Sequence, residues 1–301
     1  MTHQQLSHAY AVCRGVARRT AKNFYYGFLV LPSEKRNALC AVYAFMRHAD
    51  DIADDPTLEI TQKKQRLGDW LQAAKRVFSG EPTDDPVLMA LADAQQKFRV
   101  PTDLFEKLVY GTSLDLEIPP ASAEAPAILC STFEDLKQYC YYVASVVGLV
   151  CIHIFGYEDK KAEILAEDCG LAFQLTNIIR DVREDAGMGR IYIPEIDLAL
   201  VGLNATNFSA AALADPANAQ QLRPALEYEA DRARKFYQSG KWLMELVHED
   251  SRGALWVLVE IYSRLLRKIA DRNYDVFTER VSLSTWEKLR VLARGLVLRI
   301  A

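Results

Sequence analysis

Apolar residues recur three and four positions apart over most of this 301-residue chain, and runs of strict apolar-polar alternation are scarce. The first pattern lines up side chains on one face of a helix, whereas half-buried strands would need the second. An all-α chain is expected. Half of the residues are hydrophobic and a quarter charged, an ordinary globular composition that excludes disordered, collagenous and disulfide-scaffold chains. No repeat of fixed period and no linker-like tract divides the sequence, so residues 1–301 read as a single helical domain.

Local signals place several elements. Pro32-Ser33-Glu34 opens a helix with Ser33 as the expected N-cap, an apolar stripe of Leu39, Val42, Phe45 and Met46, and an end at Asp55-Pro56. Ser131-Thr132-Phe133-Glu134 reads as a capping box ahead of a helix over about 133–155, and Ser284-Thr285-Trp286-Glu287 as another near the C-terminus. Ile118 to Pro126 and Gly187 to Leu203 read as loops. The most apolar segment, Ala144 to Tyr157, is interrupted by Gly148, His153 and Gly156 and is shorter than the ~20 residues of a spanning helix, so it is expected to be buried. The cysteines at 13, 40, 130, 140, 151 and 169 form no C-x-x-C pair and have mostly apolar neighbours, as reduced core residues would. The opening MTHQQLSHAYAVCRG has no basic stretch followed by an apolar run, so no signal peptide and a cytoplasmic location are expected.

A formal net charge of −4 gives no global attraction for nucleic acid, which is not an expected partner. Any anionic ligand must instead be met by locally placed charge. Two segments have that character. In Tyr43 to Asp55, the residues Tyr43, Arg47, Asp50 and Asp54 step by four, three and four and so share a helix face. Four carboxylates fall within the six residues 50–55, at a helix C-terminus where the macrodipole penalises anions. In Gly170 to Asp185, Gln174, Asn177, Asp181 and Asp185 form one polar stripe on a helix otherwise carrying Leu171, Phe173, Leu175, Ile178 and Ile179. A helix apolar on nearly every side is buried, so its polar stripe should face a cavity.

Either acidic cluster alone reads as a solvated helix end. Two matched clusters, each with i,i+4 carboxylates and an arginine, supply hard oxygen ligands suited to Mg²⁺, which typically keeps water and substrate phosphate alongside one or two carboxylates. Facing pairs of this kind would hold a diphosphate. No calcium loop, H-E-x-x-H or Walker loop competes with that reading.

The motifs also carry a likeness. Asp50-Asp51-Ile52-Ala53-Asp54, then Tyr139 to Ala144, then NIIRDVRED from Asn177 to Asp185 followed by Gly189-Arg190-Ile191-Tyr192-Ile193-Pro194, resemble the squalene and phytoene synthase family from about Phe24 to about Lys288. Within it, DDIADD and Asn273 to Phe277 are most similar to bacterial presqualene diphosphate or squalene synthases. The resemblance implies a class I isoprenoid synthase bundle around a central cavity, acting as a monomer or dimer on two prenyl diphosphates with Mg²⁺, or Mn²⁺ in its place. It assigns metal binding to Asp50, Asp54, Asp181 and Asp185, with Gln174 and Asn177 beside them. Arg47, Arg180, Arg280 and Lys288 match basic positions that contact diphosphate, and Tyr43, Tyr139 and Tyr262 match groups near the reacting carbons.

In the reaction so implied, one allylic diphosphate ionises and its cation is attacked by the double bond of the second, giving a cyclopropylcarbinyl diphosphate that a second ionisation rearranges. Farnesyl diphosphate would lead to presqualene diphosphate or squalene, and geranylgeranyl diphosphate to phytoene. Whether NADPH reduces the intermediate stays open, because this family uses no G-x-G-x-x-G turn for it. A dry cavity with aromatic faces protects and stabilises such a cation. Phe24, Phe28, Tyr43 and Tyr139 are candidates for those faces and Val143, Ala144, Val147 and Gly148 for a tail-binding wall, although each also reads as a packing residue. Arg47 and Arg180 have a plainer reading too, as partners of the aspartates beside them. Chain-elongating prenyltransferases would show a second D-D-x-x-D, cyclases an Asn-rich triad ending in Glu, and a non-catalytic assembly factor eroded motifs. Leu289 to Ile300 mixes arginines with Leu and Val, as either a packed terminal helix or a peripheral membrane contact would.

Overall fold

A computed structural model of the chain describes residues 2–118 and 121–300. Pro119 and Pro120, in the middle of the expected loop, lie outside them. The elements in order are α1 (His3–Thr20), α2 (Lys22–Val30), α3 (Ser33–Ala53), α4 (Ile60–Phe78), α5 (Pro86–Phe98), α6 (Thr102–Leu114), β1 (Ala127–Ile128), α7 (Phe133–Cys140), a π-helical turn (Tyr141–Ser145) and α8 (Val146–Phe155). There follow α9 (Lys161–Gly187), β2 (Arg190–Ile191), α10 (Glu195–Leu200), α11 (Ala210–Ala214), α12 (Pro216–Leu246), α13 (Glu249–Asp271) and α14 (Thr285–Ile300). The all-α expectation holds, apart from the two-residue strands β1 and β2, which pair in parallel.

Helix α9 runs through the middle of the bundle, packed against α8, the π turn, α12 and α13, while α3 packs against α1, α4, α5, α6 and α8. Its burial on several sides matches the nearly all-round apolar pattern of its sequence. The six cysteines are free, five of them buried and Cys151 half-buried.

Four local expectations change. Ser33 is the first helical residue of α3, not its cap; Pro32 occupies the cap position, and no side chain caps that end. The capping box before α7 is Thr132 with Asp135, because Thr132 has the extended backbone a cap requires and its hydroxyl accepts from the Asp135 amide. Gly187 to Leu203 is more ordered than a loop: it contains β2 and α10, and Asp197 and Leu198 are buried. The expected helix over 133–155 forms without a gap, but its middle turn, Tyr141–Ser145, is π-helical. Two glycines press on that turn: a Cβ on Gly170 would lie 2.6 Å from the Ser145 Cα, and one on Gly111 2.6 Å from the Tyr142 carbonyl oxygen. The box at Ser284 and Glu287 forms as expected, with bonds of 3.2 and 2.7 Å.

At 23 residues, with an 18-residue stretch of mean hydropathy 1.5, Phe133–Phe155 does reach spanning length. Its apolar character has a local use, since Val143, Ala144, Val147, Gly148, Cys151, Ile152 and Phe155 line an internal cavity. Helix α14 is a packed terminal helix: Val291 and Gly295 pack inward onto α13 and α2, while Trp286, Leu289, Leu296 and Val297 stay exposed.

Candidate active site

The cavity lies between α2, α3, α8 and α9, with Leu243, Leu255 and Leu258 closing its far side. Phe24, Phe28, Tyr43, Val143, Ala144, Val147, Gln174 and Asn177 all line it, together with Phe173. A second, open recess is lined by Tyr43, Asn177, Arg180, Tyr262, Arg280 and Lys288, with Arg18 and Arg19 contributed by α1. Phe24, Tyr43 and Asn177 border both spaces, so an apolar chamber adjoins a basic mouth. An aromatic wall stands at the junction: Tyr262 stacks on Phe173 at 4.5 Å between centroids and meets Phe24 at 5.7 Å. Burial pushes the Tyr262 hydroxyl up to about 12, against the opposing charge of Arg180.

The acidic residues stand at the ends of α3 and α9. Asp50 is half-buried and accepts from the Thr112 hydroxyl at 3.4 Å, while Asp54 is exposed. Burial raises the Asp50 carboxyl to about 6, despite the charge of Arg47. Burial likewise raises Asp185 to about 7, reinforced by the charge of Asp181 and opposed by Arg190. Asp181 is different. Burial pushes it up, but Arg180 and Arg280 outweigh burial and hold it below the usual carboxylate range. Arg180 donates through Nε at 2.7 Å and through Nη2, and Arg280 donates at 2.8 and 2.9 Å while also binding Glu184 at 3.0 Å. Arg47 forms its ion pair with Asp51, not with Asp50 or Asp54. Lys288 lies over the Tyr26 ring at 5.8 Å.

Tyr139 departs from expectation. It lines neither space as an aromatic face; its ring stacks on Tyr192 at 5.0 Å, and its hydroxyl donates to Asp115 at 3.1 Å. Burial, then the Asp115 charge, push its hydroxyl far above the ordinary phenol range, so it is a neutral donor. The sequence reading overlooked Asp115, Thr112, Glu184, Arg18 and Arg19. Arg190 and Tyr192 were visible within the GRIYIP string, whereas Asp115 follows a helix end with no local signature.

Among the described residues, no group of three or more His, Cys, Asp or Glu side chains is gathered to hold a metal by itself. The donor set nonetheless suits a hard divalent cation that shares its shell with water and phosphate. Asp50 and Asp185 are carboxylates whose burial is not offset by a full counter-charge, and the buried Asn177 Oδ1 accepts no hydrogen bond.

Comparison with known proteins fits this geometry. The family model described as squalene/phytoene synthase matches residues 17–287. The chain belongs to the squalene/phytoene synthase family. It is 35% identical to the 15-cis-phytoene synthase of Synechococcus elongatus, over 94% of this chain and 91% of that protein. It is 36% identical to the phytoene synthase of Mycobacterium tuberculosis, over 97% and 92%. Its fold is similar to the crystal structure of a dehydrosqualene synthase in complex with ligand, with a TM-score of 0.82 and 29% identity over 97% of this chain and 96% of that one. It also resembles the squalene synthase HpnC from Alicyclobacillus acidocaldarius, with a TM-score of 0.79 and 27% identity over 91% and 97%. The bundle is therefore an isoprenoid synthase fold, and the squalene/phytoene synthase family condenses prenyl diphosphates head to head. An apolar chamber for prenyl chains and a charged mouth for diphosphates are what that chemistry demands.

Proposed function

We propose that the protein condenses two farnesyl diphosphates head to head to presqualene diphosphate, with squalene as product where NADPH is supplied. The observation that supports this reading is an apolar chamber that shares Phe24, Tyr43 and Asn177 with a basic recess, whose Arg180 and Arg280 bind Asp181 near the end of α9. Asp50, Asp54, Asp181 and Asp185 would hold Mg²⁺ or Mn²⁺, which when bound supplies positive charge for a departing diphosphate. Arg47, Arg180, Arg280 and Lys288 orient the diphosphates at the mouth. As the C1–O bond breaks, its electron pair leaves with diphosphate, and the arginines offset the negative charge that develops. The allylic cation stays in the chamber, where Phe24, Phe28, Tyr43 and Phe173 present π faces, with Tyr262 at the junction, and the apolar walls exclude water. Attack by the second double bond and loss of a proton close the cyclopropane.

A second substrate, geranylgeranyl diphosphate, is favoured by the names of the relatives, which are phytoene synthases at 35% and 36% identity. Incubating the protein and Mg²⁺ with each diphosphate, with and without NADPH, separates the readings by product. Presqualene diphosphate or squalene from farnesyl diphosphate supports the first; phytoene from geranylgeranyl diphosphate alone replaces it with the second.

The outer face of α14 supports peripheral membrane contact as part of this reading. Trp286, Leu289 and Val297 are exposed there beside Arg290 and Arg294, and no acidic residue follows Glu287. Apolar and basic groups on one exposed helix face suit an anionic lipid surface, the natural destination of a hydrocarbon product.

A further inference from the structure

Asp115 binds three groups at once. Just past the end of α6, its Oδ1 accepts from the Tyr139 hydroxyl at 3.1 Å and the Tyr192 hydroxyl at 3.4 Å, and its Oδ2 accepts from Arg190 Nη1 at 2.8 Å. The partners come from separate parts of the chain: Tyr139 from α7, and Arg190 and Tyr192 from β2 and the residue following it. The pairing of Ala127 with Arg190 and Ile128 with Ile191 fixes the second pair in place. The network borders the acidic end of α9, where both Asp115 and Arg190 act on the charge of Asp185.

We propose that Asp115 is a positioning residue for the condensation, fixing the hydroxyl of Tyr139 while Arg190 balances its charge. This rests on the functional reading above. The Tyr139 hydroxyl also lies 3.3 Å from the Tyr192 hydroxyl, so with its proton directed at Asp115 the pair of phenols presents a fixed dipole beside the acidic end of α9, where the charge of a departing diphosphate would gather. The stacked Tyr192 ring limits rotation of Tyr139, so the carboxylate chooses the direction of the O–H and the stack chooses the plane. With Arg190 on Oδ2 and the tyrosine hydroxyls on Oδ1, both oxygens of the carboxylate are engaged within the protein.

The test uses the full-length protein as wild type, Asp115→Asn, Tyr139→Phe and the double variant, with Mg²⁺ and each prenyl diphosphate. Asp115→Asn should lower kcat by roughly tenfold or more with KM little changed. The double variant should be no slower than Tyr139→Phe alone, because the two residues act through one contact. Additive losses, an unchanged kcat, or a raised Mg²⁺ requirement in Asp115→Asn would each overturn the proposal, the last by marking Asp115 as a metal ligand. A second readout is independent of turnover: in protein carrying ring-labelled tyrosine, Asp115→Asn should shift the resonance that Tyr139→Phe deletes. An unmoved resonance overturns the proposal even if the wild type condenses neither substrate, an outcome that would itself refute the functional reading.

Discussion

The guanidinium of Arg280 reaches Asp181 across 99 residues of sequence, donating to one carboxylate oxygen from both Nε and Nη2 at 2.9 and 2.8 Å. This contact ties the segment before α14 to the polar stripe of α9. It also leaves Asp181 neutralised by two arginines while Asp50 and Asp185 are not.

Removing a carboxylate from either helix end should therefore stop catalysis without unfolding the bundle. Asp54→Ala and Asp181→Ala are expected to lose about 10²-fold or more in kcat, the scale of losing an electrostatic group that acts on the transition state. Circular dichroism should still report native helix. Full activity in both variants would refute the mechanism.

Stability should depend on pH in a direction set by burial. Asp50 at about 6 and Asp185 at about 7 bind protons more tightly folded than unfolded, where a carboxyl titrates near 4. The metal-free protein gains this stability fully below about pH 4 and loses it as pH rises through 6 to 7, on the order of 3 kcal/mol per group. Bound Mg²⁺ should counter the loss, since it prefers the ionised carboxylates. Thermal midpoints from pH 5 to 8, with and without MgCl₂, check this; a flat metal-free profile would contradict it.

Gly170→Ala tests the contact between α9 and the π turn. The new Cβ would fall 2.6 to 2.8 Å from Ser145 Cα, Ala144 O and Ser145 N, all backbone atoms that cannot swing away. Overpacking of this kind should cost ~2 kcal/mol, read as a lower urea midpoint. A midpoint equal to wild type would mean the turn yields freely.

Arg232 holds two buried acids, Asp197 and Glu229, and lies 4.2 Å from the Phe133 ring centroid and 4.3 Å from that of Tyr228. Arg232→Met would strand those carboxylates and should destabilise the fold by ~3–5 kcal/mol. The same denaturation measurement checks it. Near-wild-type stability would show that the acids protonate at little cost, a path that burial already opens by raising Glu229 to about 7.

For α14, co-sedimentation with anionic vesicles should fall when Trp286 and Val297 become Ser, and should weaken at high salt through Arg290 and Arg294. Wild-type protein that stays in the supernatant counts against membrane contact.

The sequence by itself determined the helices and much of the chamber. Spacing of 3.6 residues per turn is local information, so α3, α9 and the stripes carrying Asp50, Asp54, Gln174, Asn177, Asp181 and Asp185 were legible, as was the box at Ser284 and Glu287. Only the tertiary structure decided which charges meet. Arg47 turns to Asp51, Arg280 crosses the chain to Asp181, and Tyr139 leaves the chamber wall for Asp115. These pairings depend on how distant helix ends pack and which carboxylates packing removes from water, and periodicity along one helix carries no record of either.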